Sequence, residues 1–435
     1  MKKIQKIRGA HEINPSEAKK WSETTKKIIS FFESYSYEEI RLPIIENTDL
    51  FSRSVGEETD IVNKEMFSFE SKSGKSLSLR PEGTASCLRA AIEMGLTDLG
   101  PQRLYYHGPM YRYERPQKGR NREFYQLSIE AYGFKKFNIE LEMIDLSYKL
   151  FSRLNLFEPI LEINSLGSEV SQKKFSDALK EYLLPLKDQL DLDSQKRLSL
   201  NTLRILDSKN PETQKLLKKG PKLSQFIETH SLEKFEELKE RISKKNIPFI
   251  INENLVRGLD YYNDVVYEWK SNQLGSQNTF CAGGRYDSLS KKLGGRDIPA
   301  AGFSIGLDRL MLAIPDDSFK KSKKKIMIII LEDSFYSFGA SLADKLRSQF
   351  QQLSVRYDGF ESNLKVQLKK LIKENYDFVI ILGKEEIKNK LLSFKNLTKS
   401  ENQVSLSEQE IFKILETNLK AVSYTHLTLP TTGVV

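Results

Sequence analysis

Cysteine is almost missing from this chain. Only Cys87 and Cys281 occur in 435 residues, far apart, which excludes a disulfide framework and a Cys-x-x-Cys metal pair. Histidine is scarce too. His11, His107, His230 and His426 are too scattered to suggest a metal site by spacing, and His107 reads as a satisfied structural side chain on a strand. Long apolar runs are also lacking: the longest clean one, Ile326 to Leu331, is far too short to span a bilayer and reads as a buried strand. The basic start, Met1 to Arg8, is not followed by the apolar stretch of a secretory signal. No Gly-x-x-x-x-Gly-Lys-Ser/Thr phosphate loop occurs, which argues against a Walker-type ATPase. These gaps lead to the expectation of a cytoplasmic protein in a reducing compartment, without a membrane partner.

What is present is charge and length. Lys and Arg number 68 against 59 Asp and Glu, a formal net charge of +9, which favours an anionic partner. The length suits two to three domains with ample core. Asn14-Pro15-Ser16-Glu17 supplies a cap, a proline at the first helical position and an acidic first turn, so a helix begins there. Ala18, Trp21, Thr25, Ile28, Ile29 and Phe32 then recur on one face. The run Ile40 to Glu46 is extended, and Pro43 confines it to an edge. From about 168 to 246, Lys- and Glu-rich helical patterns take over and read as an insertion, after which strand signals return at Val265 to Trp269. Lysines at 320, 321 and 323–325 read as a solvated linker. Beyond it, 326–331, 336–350, 364–375 and 378–382 alternate β, α, α, β, which predicts a small α/β domain with a largely parallel sheet. The tail 421–435 abruptly loses charge and reads as non-native or disordered.

Arg103 to Glu130 reads as two strands joined by a basic loop. Period-two alternation puts Arg112 and Glu114 on one face of the first strand, and Gln126, Ser128 and Glu130 on one face of the second. Five polar groups are thus expected to converge on one pocket. The loop Arg115 to Arg122 is too basic and polar to bury and fits a phosphate or RNA backbone, though a hairpin with a solvated cationic tip is an equal reading of the residues alone. In Arg80-Pro81-Glu82-Gly83-Thr84, a carboxylate beside a hydroxyl suits an ammonium, because both accept hydrogen bonds from it.

Two further segments carry a family resemblance. Arg257-Gly258-Leu259-Asp260-Tyr261-Tyr262 and Gly283-Gly284-Arg285-Tyr286-Asp287 together resemble the two motifs peculiar to histidyl-tRNA synthetases. Arg112-Tyr113-Glu114 with its loop resembles the second class II synthetase motif, and Gly302 to Leu310 the third. Asp308 stands where the family usually has glutamate, and Ser288 where glycine usually follows. The resemblance implies that Arg112 and Arg257 grip the α-phosphate of ATP from two sides as the catalytic pair. It implies that Glu114, Arg120 and Arg309 bind the rest of ATP, and that glycines of the third motif admit the nucleotide. Glu82, Thr84, Gln126, Glu130, Tyr261, Tyr262 and Tyr286 would bind histidine, with the Glu130 carboxylate accepting from a ring nitrogen. Arg115, Gln117 and Arg122 would contact tRNA. Mg2+ would enter with ATP, through ligands the sequence does not single out.

The implied fold class is α+β: a class II catalytic domain on an antiparallel sheet over 1–318 with a helical insertion at about 168–246, a Lys-rich linker at 319–325, and an α/β anticodon-binding domain at 326–420. The implied protein is a homodimer that makes histidyl-adenylate and charges tRNA(His). The alternative is a regulatory paralogue that binds histidine and partners an ATP phosphoribosyltransferase without charging tRNA.

Overall fold

The computed structural model describes residues 3–56, 59–136, 138–275, 278–315, 323–359, 363–399 and 402–420. The tail 421–435 and residues 319–322 of the expected linker lie outside these. Helix Pro15–Glu33 begins where its cap requires. The Asn14 side chain accepts from the amides of Ser16 and Glu17 at 3.1 and 3.0 Å, and Pro15 sits in the first turn, where an amide would have no partner. Its buried face is Thr24, Ile28, Phe31 and Phe32, with Thr25 at the flank. Phe32 meets the ring of Phe303 edge-on at 5.9 Å, which seats the helix on a sheet.

The chain divides into two compact units, 1–319 and 320–435. Strands of the first are β1 (Glu38–Glu39), β2 (Ile45–Asn47), β3 (Phe67–Glu70), β4 (Ser76–Leu79), β5 (Gln102–Tyr111), β6 (Glu123–Tyr132), β7 (Ile160–Ser165), β8 (Phe249–Ile251), β9 (Asn263–Lys270), β10 (Thr279–Arg285) and β11 (Ala300–Gly306). Eight of them form one sheet in the order β1-β5-β6-β11-β10-β9-β7-β8. It is antiparallel except at its two ends, where β1 joins β5 and β8 joins β7 in parallel. A small sheet, β2-β4-β3, stands apart, with β2 on its edge; of the run 40–46 only Ile45 and Glu46 are strand.

Strand alternation sorts the large sheet into two faces. Leu127, Ile129 and Ala131 of β6 pack with Ile28, Phe32, Met143 and Phe151 in one core, so Gln126, Ser128 and Glu130 must point to the other side. There a second core joins Leu88, Tyr106, Tyr132, Tyr261, Tyr262 and Tyr286 to Phe175, Leu179 and Leu198 of the inserted helices. The region read as one insertion serves both faces. Helices Glu169–Leu183, Leu192–Leu200 and Pro211–Lys219 feed the second core, whereas helix Thr229–Lys244 buries Phe235, Leu238 and Ile242 in the first. Three such side chains amount to roughly 5–9 kcal/mol of burial, so its placement is not marginal.

In the second unit, β12 (Lys324–Ile330), β13 (Leu353–Gly359), β14 (Phe378–Leu382), β15 (Leu392–Asn396) and β16 (Val404–Leu406) form a sheet ordered β13-β12-β14-β15-β16. Only β13, β12 and β14 are parallel; β15 and β16 return antiparallel, so the sheet is mixed. β12 is apolar on both faces because both are covered: Ile326, Ile328 and Ile330 meet Leu342, Leu346 and Leu415, and Met327 and Ile329 meet Leu371. Lys324 and Lys325, read as linker, are already ladder residues of β12 paired with Leu353 and Ser354.

Candidate active site

A cavity of about 390 Å3 opens on the polar face of the large sheet. Its first wall is the start of helix Thr84–Glu93. Glu82 accepts from the amides of Thr84 and Ala85 at 2.6 and 2.9 Å, so the carboxylate caps the helix end that points into the cavity. Burial raises its pKa against the pull of those amides. Gly83 is required here, since a Cβ would stand 2.2 Å from the Tyr106 ring. Arg80 lies beneath, its guanidinium spent on the carbonyls of Leu42, Pro43 and Pro109.

The second wall is the β5–β6 hairpin. The strands pair along their whole length, and the chain leaves β5 at Tyr111, so Arg112 and Glu114 belong to the loop and not to the strand as expected. Arg112 is fixed by donation from Nε to the Pro81 carbonyl at 2.9 Å and by the Phe124 ring 5.1 Å below its guanidinium. Glu114 is buried and ion-paired with Arg120. Gln117 and Arg120 exchange backbone hydrogen bonds across a tight turn in which Gly119 takes φ +72°. Arg309, on helix Leu307–Ala313, donates to the Gly119 and Thr279 carbonyls at 2.8 and 2.7 Å and so ties this loop to β10. Asp308, in the position where glutamate was expected, accepts from the Tyr125 amide at 2.7 Å and from Asn121 at 3.1 Å.

The third wall is the loop 257–262 and the strands it enters. Arg257 is paired with Glu268 of β9, and its guanidinium lies 5.4 Å over the Tyr262 ring. Burial opposes the charge on Arg257, but Glu268 together with Tyr262 and Tyr261 holds the pKa above the ordinary value. Arg112, Arg120 and Arg309 are different: burial lowers all three, and on Arg309 the neighbouring Arg120 and Arg112 add to the effect. Four guanidinium groups therefore line one cavity, three of them in a state that an incoming anion relieves.

The cavity brings together Glu82, Thr84, Arg112, Glu114, Arg120, Gln126, Arg257, Tyr261, Tyr262 and Arg309. Gln126 lines the cavity, and its Oε1 is buried with no hydrogen-bond partner. Glu130 and Tyr286 do not line it. Glu130 is fully buried behind it, where Tyr286 donates to one carboxyl oxygen and Thr84 and Tyr106 donate to the other at 2.8 and 3.0 Å. Burial pushes the Glu130 pKa up to about 8 although these hydroxyls pull it down, so the carboxyl expected to act as a charged acceptor holds its proton more readily than an ordinary one. Ser128 is also out of reach, bonded to Ser304 Oγ at 2.7 Å.

Of the glycines expected to admit a nucleotide, Gly306 lines the cavity and Gly302 makes room for this carboxyl. A Cβ there would stand 1.9 Å from Glu130 Oε2. Arg115 and Gln117 are exposed, but Arg122 is turned inward, 3.7 Å over the Tyr113 ring and bonded to the Glu114 carbonyl. His107 is exposed, 3.7 Å from Glu39, and not a buried structural histidine.

Sequence reasoning passed over Glu268, Thr279, Tyr106 and Asp207. Glu268 could have been found, since alternation along β9 puts it on the polar face and away from Tyr267 and Trp269 of the first core. Asp207, exposed to the cavity from the short 3-10 segment Thr202–Asp207 of the insertion, carries no such signal. Among the described residues no cluster of three or more His, Cys, Asp or Glu is placed to hold a metal, and both cysteines are free and buried. No helix among them is long and apolar enough to cross a membrane.

Comparison with known proteins agrees with this geometry. Residues 9–310 match the profile of the histidyl-tRNA synthetase family, and residues 325–418 that of the anticodon binding domain. The histidine–tRNA ligase of Marinomonas sp. is 45% identical over 409 residues, 92% of this chain and 96% of that protein. That of Francisella philomiragia is 43% identical over 420 residues, 96% of this chain and 99% of its own. The crystal structure of apo S. aureus histidyl-tRNA synthetase superposes with a TM-score of 0.77 at 29% identity, covering 96% of this chain and all of that one. A Bacillus halodurans structure described as an ATP phosphoribosyltransferase regulatory subunit/histidyl-tRNA synthetase shares the fold, with a TM-score of 0.64 at 21% identity over 88% of this chain. With the family profile covering most of its length and these relatives nearly all of it, the chain belongs to the histidyl-tRNA synthetase family.

Proposed function

We infer that the cavity joins histidine to ATP and that the chain passes the histidyl group to the 3′ end of tRNA(His). The observation that carries this reading is the meeting of four guanidinium groups with the capped carboxylate of Glu82 in one cavity. In the first step a histidine carboxylate oxygen bonds to the α-phosphorus of ATP and the bond to pyrophosphate breaks. Negative charge gathers on the α-phosphate oxygens, where Arg112 and Arg257 supply fixed counter-charge from the hairpin and from loop 257–262. Glu114, Arg120 and Arg309 hold the remainder of the nucleotide. Magnesium comes with ATP as part of the substrate; the described residues offer no preformed cluster for it.

For histidine, Glu82 and the lone pairs of Thr84 Oγ1 take the α-ammonium, with Gln126 Oε1 as a further acceptor. Tyr261 closes this end, its hydroxyl 3.5 Å from Glu82. Tyr262, with Glu130 and Tyr286 behind it, reads the imidazole. Glu130, held by Tyr286, Thr84 and Tyr106, fixes the back of this pocket. An amino acid lacking the two ring nitrogens cannot pair with the polar groups at this end of the cavity, which is the strongest available basis for rejection.

Transfer to tRNA draws on other parts. The exposed Arg115 and Gln117 face the acceptor end, the inserted helices embrace its stem, and the second unit reads the anticodon. A homodimer through the first unit is supported by exposed Ile44 and Ile45 at the start of β2. The cytoplasmic reading rests on the two free, buried cysteines. A histidine sensor partnering a phosphoribosyltransferase has no use for Arg257 or the basic hairpin. ATP-dependent charging of tRNA(His) with labelled histidine tests the reading, and a protein that binds histidine but charges no tRNA overturns it.

A further inference from the structure

Loop 257–262 carries Arg257 at one end and Tyr262 at the other; Tyr261 and Tyr262 are packed into the second core, whereas its middle, Gly258 to Asp260, is less buried. A cavity of about 260 Å3 lies behind it, lined by Gln172, Asn201, Arg204, Val256 and Leu259 among others. With space at its back, the middle of the loop draws on polar bonds besides the packing of its tyrosines. Three come from the inserted helices and fall on alternate residues. Arg204 donates to the Gly258 carbonyl, Asn201 Nδ2 to the Asp260 carboxylate at 3.1 and 3.2 Å, and Gln172 Nε2 to the Tyr262 carbonyl at 3.0 Å. The donors are themselves braced. Arg197 donates to the Arg204 carbonyl at 3.0 Å and reaches Asp60 at 3.4 Å, and Gln172 is carried by helix Glu169–Leu183.

We propose that Arg204 and Gln172 are positioning residues for the activation step, Arg204 setting the arginine end of the loop and Gln172 the tyrosine end. The insertion then serves adenylate formation directly, besides any service to tRNA. Arg204 touches the residue next to Arg257, so its loss misplaces a group that acts on the transition state. Gln172 holds the backbone of Tyr262, so its loss loosens the amino-acid pocket. The two anchors therefore predict opposite kinetic signatures. The proposal rests on the reading of Arg257 given above.

The test is histidine-dependent pyrophosphate exchange by the full-length chain. Arg204→Ala is expected to lower kcat by about 10- to 100-fold, with the KM for histidine within about twofold, because a charge-assisted bond is lost beside a transition-state group. Arg204→Lys should recover part of that rate, since an ammonium can still reach a carbonyl. Gln172→Ala should raise the KM for histidine by about fivefold with kcat nearly unchanged. If Arg204→Ala folds poorly by thermal unfolding, Arg204→Gln gives the same reading. Parallel changes of kcat and KM in both variants, tracking lost stability, overturn the proposal; so does an unchanged kcat in the Arg204 variants while Arg257→Ala is slow. An Arg257→Ala protein that forms adenylate normally overturns the reading beneath it, and this proposal with it.

Discussion

Arg257 and Arg112, proposed to flank the α-phosphate, are held by different means. Arg257 is charge-paired with Glu268, while Arg112 is tethered to the Pro81 carbonyl and rests on Phe124. Both are fixed before substrate arrives, which is what a transition-state stabiliser requires. Arg257→Ala should depress adenylate formation by about 10²- to 10³-fold in single-turnover kinetics, with a smaller effect on histidine affinity. Weakened binding with an unchanged rate overturns that role. Glu130 makes a separate prediction through its proton. Its folded pKa, about 8, exceeds the 4.5 of an ordinary carboxyl, so the native state holds the proton more tightly and stability falls as pH rises from about 4.5 to 8. Glu130→Gln abolishes this term. The difference in melting temperature, variant minus parent, should therefore grow in the variant's favour between pH 5 and pH 8. A difference independent of pH removes the buried, protonated carboxyl from the account.

At the scale of elements, the loop between β5 and β6 is proposed to meet tRNA through its exposed side chains and not through those it packs against itself. Arg115 is exposed, whereas Arg122 is stacked on Tyr113. Each phosphate contact releases counterions, so Arg115→Ala should reduce the salt slope of tRNA binding by about one and Arg122→Ala should leave it unchanged. Equal slopes for the two variants contradict the division. Much at this scale was legible in the sequence. Asn14-Pro15 marked a helix start by capping chemistry, and the isoleucine run marked a strand buried on both faces. Depth was not legible. Alternation assigned Gln126 and Glu130 to one face correctly, but only three-dimensional packing puts Gln126 on the cavity and Glu130 behind it. Likewise, the pattern of helix Thr229–Lys244 reveals that it has an apolar face without telling which side of the sheet receives it. The close approach at Gly302 was not legible either, because its neighbour in space, Glu130, is distant in sequence.

At the scale of the whole molecule, the two units have separate cores, and the cavity draws every wall from the first. A chain ending at Asp317 should therefore still activate histidine while charging of tRNA falls by roughly 10²-fold or more, as expected when one of two linked binding modules is removed. A folded truncated protein that charges tRNA as well as the full chain rules out the anticodon role of the second unit. The central claim, that the cavity selects histidine, is tested most directly by pyrophosphate exchange with each of the twenty amino acids in turn. The account predicts exchange with histidine and at least about 10⁴-fold less, by kcat/KM, with any other, because buried polar groups go unpaired. Exchange with several amino acids at similar efficiency would contradict it.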